Sequence, residues 1–317
     1  MSRKTLTDLY QMKAKGEKIA WLTSYDFPSA QFCQAAGMDM ILVGDSLGMC
    51  VYGYNGTVPV TMDQCLVHSE AVRRGAPDVF LVGDMPFLSY QISDADAVLN
   101  AGLFLKKADV DAVKLEGGVR IVDRIKAISD AGIVVIGHIG LTPQSSGQLG
   151  GHKAQGRTAD AAKLTLEDAL AVEKAGARML LVEAIPPEVT EVIHQRLSIP
   201  VLAIGGGLPC DGQLLIISDL IGQFQAFTPK FVKKYANVAK VITEAISEYV
   251  KDVKNSKFPT LEYTYSMLPG EVEKFHKLVG HKPAAKAAPK AAPKAASKAA
   301  AKAAPKAASK AAPKKSK

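Results

Sequence analysis

The chain has 317 residues, of which 48% are hydrophobic, and a formal net charge of +8; that is room for one α/β barrel of about 250 residues with additions. The basic balance sits at one end: residues 281–317 hold eleven lysines and no acid, and the rest carries 28 basic against 31 acidic residues. No run of 18 apolar residues marks a membrane span, no apolar core marks a signal peptide, and Cys33, Cys50, Cys65 and Cys210 form no CxxC pair. These features argue against a membrane protein, a disulfide scaffold or a zinc site, and fit a cytoplasmic protein with reduced thiols.

Residues 4–15 read as a short amphipathic helix with Leu6, Leu9, Tyr10 and Met12 on its apolar face. Strands are expected at 18–23, 39–43, 78–83, 111–115, 133–137, 178–182, 200–204 and 213–217, several of them continuous apolar runs, as parallel strands buried on both faces require. Helical patterns fill 27–36, 61–74, 93–108, 119–131, 158–175, 186–196 and 229–254. Thr61 and Ser93 suit N-caps, and Thr228-Pro229 suits a cap followed by proline in the first turn. The gap between the last two strands is too short for a full helix. The loops 44–60 and 138–157 are long and polar, the kind that bind ligands or cover sites. From Lys282 to Lys314 a lysine falls at every fourth position among Ala, Pro and Ser; such a segment cannot build a core and is expected to be disordered.

Four acids carry the chemistry: Asp45 in MILVGDSLG, Asp84 in VFLVGDMPF, Glu116 in DAVKLEGG and Glu183 in MLLVEAIPP. They follow apolar runs at steps of 39, 32 and 67 residues, and a strand with its crossover helix takes at least ~30. The acids therefore stand at the C-terminal ends of different parallel strands, where a (β/α)8 TIM barrel keeps its active site. Two or three carboxylates without a His/Cys cluster favour a hard cation such as Mg2+, although any single acid of this kind could simply cap a turn.

Lys114 lies two residues before Glu116, so on a strand both face the same way, toward the barrel mouth. A buried lysine there needs an anion, either a substrate carboxylate or the acids themselves. Glu183 stands among apolar neighbours, which favour the proton-holding form of a carboxylate and make it a candidate general base. His138, directly after the fifth strand, is a hydrogen-bond donor or orienting group, or equally a structural histidine. Gly205-Gly206-Gly207 is a weak candidate for phosphate contact.

The strings WLTSYDFPSA, ILVGDSLGM, VGDMPFLSYQ, VKLEGG, GHIGLTPQ, LLVEAIPPE and CDGQLLIISDLIG resemble, in order, the motifs of the ketopantoate hydroxymethyltransferase family, from about residue 3 to 265. The resemblance implies a TIM barrel of the superfamily that also holds phosphoenolpyruvate mutase and isocitrate lyase. It implies transfer of a hydroxymethyl group from 5,10-methylenetetrahydrofolate to 3-methyl-2-oxobutanoate through a Mg-stabilised enolate, giving 2-dehydropantoate for pantothenate and coenzyme A biosynthesis. Carried onto matching positions, Asp45 and Asp84 would ligate Mg2+ with Glu116 as a partly indirect third ligand. Asp45, Ser46, Asp84 and Lys114 would contact the keto acid, and Glu183 would accept the proton. A homo-oligomer, often a decamer, is implied as well. Gly206, Ser218 and His152 depart from the usual alanine, histidine and tyrosine and weaken only the folate contacts. No KKCGH-like loop of the related carbon–carbon lyases is present.

The expected organisation is thus a catalytic barrel with flanking helices over 1–265, a connecting segment over 266–280, and a Lys/Ala/Pro-rich tail over 281–317. Lysine repeats neutralise phosphates, so nucleic-acid contact through the tail stands beside a purely solubilising extension.

Overall fold

The computed structural model describes residues 3–282. The lysine repeat and the expectations placed on it lie outside the described residues. The chain divides into two compact units, one to Lys251 and one from Asp252 on; the second contributes a short helix, Glu271–Leu278.

The first unit is a closed barrel of eight parallel strands in sequence order. They are β1 (Ile19–Thr23), β2 (Met40–Val43), β3 (Phe80–Asp84), β4 (Ala112–Glu116), β5 (Val135–Gly140), β6 (Met179–Glu183), β7 (Val201–Ile204) and β8 (Gly212–Leu215). Closure comes from β1 pairing with β8, Trp21 opposite Leu214. All eight expected strands form, with ends shifted by up to three residues. Alternation along each strand splits the core in two. Trp21, Met40, Leu42, Phe80, Val82, Ile136 and Leu181 fill the barrel interior, whereas Ile41, Leu81, Val113, Leu115 and Val135 face the helices. The inward set at β4 continues from Ala112 through Lys114 to Glu116, so the layers turn from apolar to charged toward the strand ends.

The amphipathic helix α1 (Leu6–Lys15) starts on a capping box between Thr5 and Asp8. Its Leu9 joins the inner core, and Lys13 lies 2.8 Å from Asp211, at the foot of β8, so α1 closes the end of the barrel away from the acids. Between the strands run α2 (Phe27–Ala35), α3 (Leu47–Cys50), α4 (Met62–Gly75), α5 (Asp94–Ala108), α6 (Val122–Asp130), α7 (Ala159–Lys174) and α8 (Pro187–Arg196), then α9 (Ile217–Leu220) and α10 (Val238–Lys254). Thr61 and Ser93 cap α4 and α5 as expected. The connection from β7 to β8 has no helix.

The long C-terminal helix does not start at Pro229 but at Val238. The segment before it is drawn toward the barrel mouth by Phe231, whose ring would lie 2.7 Å from a Cβ built on Gly205; tertiary packing there overrides the local cap signal. The same contact reassigns the glycine triplet. Gly205 backs onto Phe231, Gly206 onto Thr190 and Gly207 onto Pro187, so these residues allow close packing and form no phosphate cradle.

Candidate active site

β2 to β6 deliver the expected residues to one side of the barrel mouth, around a cavity of about 840 Å3 lined by Asp45, Ser46, Asp84, Lys114, Glu116, His138 and Glu183. Asp84 and Glu116 are the last residues of β3 and β4, and the register sets Asp84 opposite Lys114 and Glu116 opposite His138. Asp45 follows β2 by two residues, and its backbone N–H donates to Asp84 Oδ2 at 2.9 Å.

A line of close contacts runs across four strands. Lys114 Nζ lies 2.8 Å from Asp84 Oδ1 and 3.4 Å from Glu116 Oε1, and 3.2 Å from His138 Nδ1. The other imidazole nitrogen, Nε2, lies 3.2 Å from Glu183 Oε2. Every member except Glu183 is almost wholly buried.

Burial sets the electrostatics, and the neighbours then divide the acids. Asp45 is pushed well above the ordinary carboxylate range by burial and then by Asp84 and Glu116. Asp84 is raised by burial against the pull of Lys114. Glu116 goes the other way: despite burial, Lys114 and His138 hold it down at about 2. Lys114 is raised because Asp84, Glu116 and Asp45 outweigh its desolvation. His138 is raised to about 9; burial and Lys114 oppose its charge, but the neighbouring carboxylates of Glu116 and Glu183 prevail. Lys114 Nζ and His138 Nδ1 each lie 3.4 Å from Glu116 Oε1.

Glu183 is aimed from both sides. A Cβ on Gly140, which has φ +89°, would collide with the Glu183 carbonyl, so only glycine lets β5 approach there. The N–H of Leu141 donates to that carbonyl at 2.9 Å. Next to Glu183, Ala184 has φ 49°, a left-handed conformation that costs a side-chain-bearing residue about 1–2 kcal/mol. Strain of this kind persists where the surroundings impose it, and it collects at functional sites.

Two residues that sequence reasoning passed over tie the acids together. The Gln144 side-chain amide donates to Asp45 Oδ2 and to the Met85 carbonyl, both at 2.9 Å, and its backbone N–H donates to Glu116 Oε2 at 3.0 Å. Its own carbonyl oxygen is 2.8 Å from the Tyr90 hydroxyl, which also accepts from the Glu116 N–H at 3.1 Å. Gln144 stands in the quoted GHIGLTPQ string, but an uncharged amide gives no signal in a search for acids and bases. Ser46 lines the cavity beside Asp45, with its Oγ 2.8 Å from the Tyr25 hydroxyl.

Among the described residues Asp45 Oδ1 is the one oxygen of the three carboxylates with no partner. Gln144 holds Asp45 Oδ2, Lys114 and the Asp45 N–H hold the oxygens of Asp84, and Lys114, His138 and Gln144 hold those of Glu116. A hard cation would therefore enter at Asp45, with the adjoining Asp84 next to it. Among the described residues, no three of His, Cys, Asp and Glu form a ready-made metal cage. Mg2+ needs none, because it binds through one or two carboxylates and keeps waters or substrate in its other positions.

A parallel eight-stranded barrel with carboxylates, a lysine and a histidine at the C-terminal ends of its strands defines a TIM-barrel enzyme. Within that class the chain belongs to the ketopantoate hydroxymethyltransferase family, whose sequence profile matches residues 3–261. It is 62% identical over 276 residues to the 3-methyl-2-oxobutanoate hydroxymethyltransferase of Alkaliphilus metalliredigens (strain QYMF), covering 87% of this chain and 97% of that protein. It is 50% identical over 264 residues to the enzyme of the same name from Desulfotalea psychrophila (strain LSv54 / DSM 12343), covering 83% and 95%. At the level of fold it is similar to 2,3-dimethylmalate lyase, with TM-score 0.54 and 17% identity over 88% of this chain and 97% of that one.

Proposed function

We propose that this enzyme transfers a hydroxymethyl group from 5,10-methylenetetrahydrofolate to 3-methyl-2-oxobutanoate, giving 2-dehydropantoate and tetrahydrofolate in cytoplasmic pantothenate biosynthesis. The observation that carries this reading is the line Asp84–Lys114–Glu116–His138–Glu183, with paired carboxylates at one end and a base at the other. Family membership supports the substrate assignment.

The acid pair fits Mg2+: burial together with Asp84 and Glu116 drives Asp45 toward its protonated form, and a divalent cation held by Asp45 and Asp84 would relieve that repulsion. When bound, Mg2+ supplies Lewis-acid polarisation of the keto oxygen. Lys114 then balances the substrate carboxylate, and Ser46 bounds the pocket beside it. Glu183 takes the C3 proton, and the C3–H electron pair passes into the enolate. His138 keeps the Glu183 carboxylate pointed at C3 through Nε2. C3 attacks the methylene carbon of the donor. One water is consumed overall: its oxygen ends in the new hydroxyl, and tetrahydrofolate leaves with N5 and N10 protonated.

The test is deuterium exchange at C3 of 3-methyl-2-oxobutanoate in D2O, followed by NMR with Mg2+ or with a chelator, and then transfer on adding methylenetetrahydrofolate. Metal-dependent exchange and transfer are expected. Absence of both, with keto acid, metal and folate all supplied, overturns the proposal.

Two predictions follow from particular contacts. Gln144→Leu removes the amide that fixes Asp45 and should weaken Mg2+ affinity about 10–100-fold, the usual cost of losing a ligand's hydrogen-bond partner; calorimetric titration with Mg2+ measures it. The second concerns assembly. Along α10, Ile242, Ile246 and Val250 are all exposed, and they recur at the four-residue spacing of one helix face. This supports the homo-oligomer proposed from the family. Ile246→Glu should lower the mass measured by light scattering while leaving the circular dichroism spectrum unchanged.

A further inference from the structure

Ser46 follows Asp45 after the end of β2, and its hydroxyl is held from behind the cavity wall. Tyr25, between β1 and α2, brings its own hydroxyl to 2.8 Å from Ser46 Oγ. The tyrosine is only 4% exposed. Gly44 leaves room for the serine: a Cβ built there would lie 2.9 Å from Ser46 Oγ and 3.6 Å from Asp84 Oδ2. The Ser46 hydroxyl thus sits over bare backbone, on the side of the carboxylates.

The chemistry of the two groups sets the direction of the bond. A phenol is a stronger donor and a weaker acceptor than an aliphatic hydroxyl. Burial holds the Tyr25 phenol well above its ordinary range, so it keeps its hydrogen. Ser46 Oγ takes that bond on a lone pair and has its own hydrogen left to give. A hydroxyl that accepts one bond also donates a stronger one.

Tyr25 is itself anchored. His68, on α4, holds the Tyr25 carbonyl through Nδ1. A carbonyl only accepts, so Nδ1 carries the hydrogen, and Nε2 lies 3.0 Å from the Tyr52 hydroxyl. Tyr52 stacks on Tyr54 with ring centroids 5.5 Å apart, and Gln64, also on α4, donates to the Tyr54 hydroxyl at 3.0 Å. One helix of the outer ring therefore grips both the turn that carries Tyr25 and the loop that follows Ser46.

We propose that Tyr25 is a positioning residue for the keto acid: its hydroxyl donates to Ser46 Oγ and turns the Ser46 hydrogen toward the substrate carboxylate, while His68 fixes Tyr25 in place. The assignment rests on the keto-acid site given under Proposed function, where Ser46 borders that carboxylate. The substrate carboxylate keeps its charge as C3 loses its proton, so the bond counts equally in ground and transition states and shows in affinity, not in rate.

The experiment is calorimetric titration of the full chain with 3-methyl-2-oxobutanoate in the presence of Mg2+, for wild type, Tyr25→Phe, Ser46→Ala and the double variant. Loss of a hydrogen bond to a charged group predicts about 10–100-fold weaker binding for Ser46→Ala, and loss of a neutral one about 3–10-fold for Tyr25→Phe. The double variant should bind as Ser46→Ala does, because Tyr25 has nothing to orient once the serine hydroxyl is gone. Deuterium exchange at C3 with saturating keto acid should move less than twofold in Tyr25→Phe. His68→Leu should weaken binding about 2–5-fold, and His68→Asn, whose amide can still donate to the Tyr25 carbonyl, should recover most of that loss; this pair leaves both hydroxyls in place and reads the positioning even where Tyr25→Phe loses its fold. Unchanged affinity in Tyr25→Phe overturns the proposal, and so do losses that add in the double variant, the mark of a merely structural tyrosine. A His68→Leu variant that binds as wild type does removes His68 from the role. A wild type that binds no keto acid, or a Ser46→Ala variant that binds it as wild type does, overturns the keto-acid site on which the proposal rests.

Discussion

Glu183→Gln is expected to slow deuterium exchange at C3 of 3-methyl-2-oxobutanoate by about 10²–10⁴-fold, the usual contribution of a positioned general base. Glutamine keeps the size and hydrogen-bonding shape of the side chain but cannot take the proton. Its amide oxygen can still accept from His138 Nε2, now 3.2 Å from the carboxylate, so the site should keep its form. Thermal midpoint and Mg2+ affinity should therefore match wild type, because Asp45 and Asp84 are untouched. A variant that exchanges at the wild-type rate with metal present would remove Glu183 from the base role and turn attention to the other titratable groups of the contact line.

Lys114→Met should be the most damaging substitution for stability, at about 3–5 kcal/mol near neutral pH, the range seen when one partner of a buried ion pair is removed. Among the described residues the ammonium is the only lysine or arginine in contact with Asp84 and Glu116, at 2.8 and 3.4 Å, and both carboxylates are almost wholly buried. The pH dependence has a definite sign. Glu116 is held down at about 2 from an ordinary 4.5, so its stabilising contribution is present above about pH 4.5 and is lost as pH falls through about 2. Without Lys114 that carboxylate is buried beside Asp84 with only His138 to balance it, and protonation relieves the strain. Burial without the ammonium lets that carboxylate take up its proton at a higher pH than an ordinary one, so the difference between variant and wild type should already have shrunk at pH 4.5. Urea unfolding with a chelator present, at pH 7 and pH 4.5, measures both the size and the sign. An equal deficit at both pH values would mean that lost packing, and not lost charge, is the cause. Added Mg2+ should restore part of the stability at pH 7, because a cation bound by Asp45 and Asp84 replaces some of the missing positive charge.

The barrel was legible in the chain because parallel strands buried on both faces need continuous apolar runs. MILV, VFLV, MLLV and VLAI announce themselves in that way. The acids were legible for a related reason: a charge directly after such a run has few places to go except the open end of the barrel. Lys114 and Glu116 shared a face by the two-residue period alone, and the structure puts them 3.4 Å apart. The N-terminal helix and the caps at Thr61 and Ser93 were likewise local matters.

Chain closure decided the rest. Gln144 reaches Asp45 across 99 residues of sequence, and Tyr90 reaches Gln144 across 54. These are neutral groups whose value lies wholly in the partners that folding brings to them, so no local pattern marks them. The start of α10 moved from Pro229 to Val238, because a proline in a first turn is a weak preference and Phe231 has Gly205 to pack against. Asp219 and Thr57, far apart in the sequence, become neighbours of one cavity only in the fold. Periodicity and strand-end chemistry were thus set by the sequence alone, since they depend on which face of an element meets water. Hydrogen-bond partnership, and the lack of it, was decided by the tertiary structure, since it depends on distances the chain acquires only when β8 closes against β1.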